Sequence, residues 1–203
     1  MQTSNELKNW GMDLKSILFD INLTTNNLYI LKHKNSISFR TQHSEVYLNL
    51  WYQQYFICII QLAKLFSDSG QQKRNISKLC KKITMEDFDD ELNQILLLNK
   101  TKLNDVLKSK EDLMLVVAEI TLEMENKSVI IEKIKSLRDK VFAHTDPNTP
   151  EDDISVEDLI CLKDFANKIY NDIFGKIFDE YYHFQLTQKY DFRSIIEAFM
   201  KIE

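Results

Sequence analysis

Apolar residues recur along this chain at helical spacing. Between Asn5 and Leu31, the positions Leu14, Ile17, Leu18, Ile21, Leu28 and Leu31 fall on one face of a 3.6-residue period, which predicts a first long helix. The pattern lapses from His33 to Phe39, which reads as a connection. From Glu45 to Phe66 it returns in its most apolar form, with no charge between Glu45 and Lys64. Asn49, Gln53, Gln54 and Gln61 interrupt that run. The stretch is therefore expected as a helix covered on most sides by a bundle or a dimer, not as a membrane span. Among its aromatics, Trp51, Tyr52 and Tyr55 either line an interface or fill the core, and core is the expectation.

Ser67-Asp68-Ser69-Gly70 supplies a stop, and Gln71 to Lys82 is basic, read as a loop and a short helix. Thr84, with Asp87 three residues on, predicts a helix start running to about Leu98. Leu103 to Met124 is periodic again. Ser128 is expected to cap a helix whose stripe is Ile130, Ile134, Leu137 and Val141. That helix should end near His144, because Thr145-Asp146-Pro147-Asn148-Thr149-Pro150 cannot continue it. Ser155 and Asp158 form a capping pair for a long helix bearing Leu159, Leu162, Ala166, Ile169, Ile173 and Ile177. Gly175 in that helix is expected at a point of close packing, and Phe192 to Ile202 makes a short final helix.

Composition agrees with this reading. The chain has 203 residues with only 3 Gly and 2 Pro, too few for the turns of a sheet protein. The expected fold is all-α, an up-and-down helical bundle in one domain over residues 1–203. Three cysteines, Cys58, Cys80 and Cys161, are widely spaced, which disfavours both a disulfide framework and a zinc knuckle. No cofactor and no metal site is expected. The opening residues lack a basic region followed by an apolar stretch, so a cytoplasmic protein without membrane association is expected. A net charge of -5 argues against broad coverage of nucleic acid, while leaving room for a local basic site.

Four histidines occur, and only His144 has chemically suggestive neighbours. His33, His43 and His183 read as solvated or packed. Arg138 and His144 lie about 120° apart around an ideal helix and about 9 Å apart along it. A long Arg side chain and a His released at the helix end could converge, more easily across a dimer. Guanidinium grips phosphate through paired hydrogen bonds, and imidazole moves protons near neutrality. Together they suit metal-free RNA cleavage by the neighbouring 2'-hydroxyl. Spacing alone favours a structural pair, with His144 capping the helix C-terminus and Arg138 bound to a carboxylate, because Arg and His six residues apart occur often by chance. Lys133, Lys135, Arg138 and Lys140 make a basic patch, or else a solvated face paired with Glu132.

The segment from Leu137 to Asp146 resembles the signature of the HEPN superfamily: an Arg followed by a polar residue, here Asp139, and a His after a short gap, here five residues. The Ala-His-Thr-Asp that follows, the acidic loop and the capped helix are similar to its abortive-infection U-type branch. The motif-bearing core is about 128–184. The resemblance implies a HEPN-type bundle with extra N- and C-terminal helices, dimerising with the motifs face to face. It implies a metal-independent endoribonuclease of a toxin–antitoxin or phage-defence system. Arg138 and His144 would then be catalytic, Asp139 supporting, and Lys135 and Lys140 in contact with RNA. A homodimer, an RNA substrate and an antitoxin protein are the implied partners. The alternative is a non-catalytic helical dimer of the same type that binds a protein or a nucleotide.

Overall fold

The computed structural model describes residues 3–33, 37–67, 74–139, 154–184 and 191–201. Among these residues the regular structure is helical and there is no β-strand. The helices are α1 (Ser4–Lys32), α2 (Ile37–Gln42), α3 (Ser44–Phe66), α4 (Ile76–Met85), α5 (Asp90–Asn99), α6 (Lys110–Asn126), α7 (Ser128–Leu137), α8 (Val156–Tyr170), α9 (Lys176–Phe178) and α10 (Arg193–Phe199). A π-helical turn, Asn171–Gly175, joins α8 to α9.

Three long helices organise the bundle. Asn27 donates to Gln54 at 3.0 Å and Gln61 to Asp20 at 2.6 Å, so α1 and α3 run antiparallel. Asn22 bonds Asn167, and Lys32 bonds Glu157, so α1 and α8 are antiparallel as well. The apolar stripe read from the sequence is what they share. Leu7, Leu14, Leu18, Ile21 and Leu28 of α1 are buried against Cys58, Ile59 and Leu62 of α3 and Leu159, Leu162 and Ile169 of α8. Removing such surface from water is the main force holding helices together. α7 packs on α3, α4 on α6, α6 on the π-helical turn and α5 on α9. A smaller cluster of Leu31, Phe39, Tyr47 and Ile196 fastens α10 and α2 beside α3.

Several helix starts differ from those the sequence suggests. Thr84 lies inside α4, where its hydroxyl bonds back to the carbonyl of Cys80 at 2.8 Å. The cap of α5 is Asp89, whose side chain accepts the Leu92 amide. Residues 103–109 are not helical. Buried Asn99 instead donates to the carbonyls of Leu107 and Ile177, at 2.9 Å each, and Ser109 starts α6 by accepting the Asp112 amide. Ser128 is the first residue of α7 rather than its cap, since α6 passes into α7 through Lys127 alone. Residues 37–39 belong to α2 rather than to a connection.

The expected capping box of α8 is present, with Ser155 and Asp158 bonded reciprocally. The helix then widens at Asn171, whose side-chain amide accepts the Tyr182 amide at 2.9 Å and donates to the Tyr182 carbonyl at 3.2 Å. Gly175 lets this returning segment in: a Cβ there would stand 3.1 Å from the Tyr181 ring.

Candidate functional site

The site grows from the end of α3. Ser67 caps that helix in extended conformation, and its amide donates to the Ala63 carbonyl at 3.0 Å. The same carbonyl takes the Ser67 hydroxyl proton at 2.5 Å. A hydroxyl has one proton, so its lone pairs remain to accept. Arg138, at the end of α7, supplies the donor: Nη1 lies 2.6 Å from Ser67 Oγ. α7 packs across α3, so two residues 71 positions apart meet at adjoining helix ends.

Asp139 holds the other side of the guanidinium. Its Oδ1 accepts Arg138 Nε at 2.7 Å. Arg138 is mostly covered, with 19% of its side chain exposed, while Asp139 is 50% exposed. A guanidinium has five N–H donors in a planar fork. The contacts to Ser67 and Asp139 use Nε and Nη1, and among the described residues Nη2 has no hydrogen-bond partner. Such a cation, oriented on two sides, can still present N–H groups to a phosphate.

Lys135 sits one turn earlier on α7, its Nζ 3.4 Å from Glu132 Oε2 in an exposed pair. That is the solvated, paired face considered for the basic patch. Lys140 and His144 lie outside the described residues. So does Val141, the last position of the α7 stripe expected from the sequence.

Ile154 is also fixed to α3. The Tyr55 hydroxyl accepts the Ile154 amide at 3.3 Å and reaches its carbonyl at 3.4 Å. Tyr55 and Trp51 pack partly buried against the core, as expected, but Tyr52 does not: it is 57% exposed.

Ser67, beside Arg138, and Tyr55, beside Ile154, are the contacts that local reading misses. Ser67 is legible only as a helix stop and Tyr55 only as an apolar filler. Each acquires its role from a partner far along the chain, for which no local spacing is a signal.

Among the described residues no three or more His, Cys, Asp or Glu side chains are grouped to hold a metal ion. Burial pushes the Cys58 thiol up to about 12 and the Cys80 thiol up to about 11, so neither is a nucleophile at neutral pH. No helix of the described residues is long and apolar enough to cross a membrane.

An all-α bundle with an Arg-polar pair closing one helix and a His six residues beyond the Arg is the pattern of HEPN domains. Residues 53–192, more than half of the chain, match the model of the AbiU2 family of HEPN domains, and the chain belongs to that family. Nothing matches it among the curated proteins or among the solved structures.

Proposed function

We propose that this protein is a metal-independent endoribonuclease of a toxin–antitoxin or abortive-infection system, acting in the cytoplasm as a homodimer of one HEPN-type domain. The observation that carries the reading is the held guanidinium of Arg138 within a HEPN family chain. In this reading a ribose 2'-oxygen attacks the adjacent phosphorus and the bond to the 5'-oxygen breaks. His144 carries the proton from nucleophile or to leaving group, and Arg138 stabilises the charge on the phosphorane oxygens. Asp139 supports Arg138, while Lys135 and Lys140 contact the RNA backbone. Between Glu45 and Lys64, α3 carries no charge, and Leu48 and Tyr52, exposed one turn apart on it, offer a surface for the second copy. An antitoxin protein would be the neutralising partner.

The test compares wild type with Arg138→Ala and His144→Ala on diverse RNAs in EDTA. Wild type should cut and leave 2',3'-cyclic phosphate ends, while each variant should lose about 100-fold or more of the rate. Wild-type protein that leaves all RNAs intact would sink the reading.

The alternative is a binding module of the same fold. It is favoured by the same contacts seen otherwise: Arg138 saturating Ser67 and Asp139, and Lys135 paired with Glu132, are what a purely structural pair and a solvated face require. In that case both variants would fold, dimerise and bind partners as wild type does.

A further inference from the structure

Ser67 does more than close α3. Its amide alone satisfies the Ala63 carbonyl at 3.0 Å, so the helix end has no need of the hydroxyl. Yet that hydroxyl is 3% exposed with its residue, donates to Ala63 at 2.5 Å and accepts Arg138 Nη1 at 2.6 Å. A committed proton leaves the lone pair aimed at the cation.

The serine is itself fixed from outside. Asn75 Nδ2 donates to the Ser67 carbonyl at 3.1 Å, and Asn75 Oδ1 accepts the Lys78 amide at 2.8 Å to cap α4. Asn75 is 0% exposed. A continuous hydrogen-bonded line therefore runs from the guanidinium through the end of α3 to the start of α4. The other holder, Asp139, is Arg138's neighbour in the chain and half exposed, so it moves with the residue it binds. Among the described residues, only Ser67 refers the guanidinium to the rest of the bundle.

We propose that Ser67 is the positioning residue of Arg138: it sets the plane of the guanidinium so that the remaining N–H groups face the scissile phosphate. Its effect on rate rests on the endoribonuclease reading; its effect on the Arg138 side chain does not. Misplacing a catalytic group by about 1 Å can cost about 100-fold in rate.

The experiment uses the full chain as wild type, Ser67→Ala, Ser67→Thr, Arg138→Ala and the double variant Ser67→Ala/Arg138→Ala. Two readouts are taken: the side-chain Nε–Hε resonance of Arg138, assigned by its loss in Arg138→Ala, and RNA cleavage across RNA concentrations. Ser67→Ala should shift and broaden that resonance. It should lower the rate at saturating RNA roughly 10- to 100-fold and move the half-saturating concentration less than about twofold. Ser67→Thr, which keeps the hydroxyl, should restore both. In the Arg138→Ala background, Ser67→Ala should have no further effect.

A folded Ser67→Ala with the resonance unmoved overturns the proposal. So does a moved resonance with an unchanged rate, or an equal loss of rate in the Arg138→Ala background. If Ser67→Ala melts below the assay temperature, Ser67→Cys, similar in volume and a weaker acceptor, carries the same comparison. A wild type that cuts no RNA removes the nuclease reading, while the resonance still decides whether Ser67 orients Arg138.

Discussion

Tyr55 and Ile154 are 99 residues apart, and one hydroxyl joins them, accepting the Ile154 amide at 3.3 Å and reaching its carbonyl at 3.4 Å. Ile154 is 4% exposed, so its backbone groups have little water to turn to. With Arg138 on Ser67, the chain is tied to α3 on either side of residues 140–153.

Tyr55→Phe should remove the hydroxyl and keep the packing. The expected loss is about 1 kcal/mol, or about 2–4 °C in Tm for a chain of this size. Amide exchange at Ile154 should quicken while that of the α8 interior stays slow. Unchanged exchange at Ile154 would show that the hydroxyl does not hold it.

Asn22 and Asn167 exchange two hydrogen bonds between α1 and α8, at 2.8 and 3.0 Å. Asn22→Ala leaves the Asn167 amide without its partner and should cost about 1–3 kcal/mol in urea unfolding. Replacing both by Leu should cost less than the sum of the two single Leu variants. Strict additivity would mean the pair is not coupled.

Stability should carry an acid signature at Asp179. The hydrogen bond from Lys102, at 2.9 Å, holds its carboxyl below the usual carboxylate range. A carboxylate more acidic in the folded state stabilises the fold above its unfolded pKa, and that contribution is lost as pH falls through the folded pKa. Wild type should therefore exceed Lys102→Ala by a constant amount near neutrality, with the gap closing in acid. A gap that persists unchanged into acid would contradict the assignment.

Thiol chemistry should separate the cysteines. Cys161 is exposed, whereas Cys58 and Cys80 are buried with pKa values pushed up to about 12 and about 11. At neutral pH a thiol reagent should modify Cys161 quickly in the native protein, and the other two only on unfolding. Rapid native labelling of Cys80 would show that α4 opens readily.

The long helices were legible in the sequence because burial writes itself as a period. Leu14, Leu18 and Ile21 could face a core only on one side of a helix, and the Ser155–Asp158 box is a short-range contact that local spacing encodes. Starts that depend on a choice between neighbouring polar residues were not legible. Thr84 reads as a cap, yet its hydroxyl bonds back to Cys80 inside α4, and Asp89 starts α5 instead. Leu103 fits the helical period, yet Asn99 pulls its segment out of helix by engaging Leu107 and Ile177. At the candidate site the Arg–Asp step was legible as a motif, while Ser67 was not, because its bond to Arg138 exists only once α7 lies across α3.

The boundaries of the family match have a practical meaning. Residues 53–192 begin partway along α3 and leave out α1 entirely. Leu7, Leu14, Leu18, Ile21 and Leu28 belong to the part left out, and they cover the inner faces of both α3 and α8. A fragment trimmed to the match would expose those faces to water and to each other between molecules. The matched stretch is thus no guide to where a soluble fragment can be cut, and expression trials should keep the first helix.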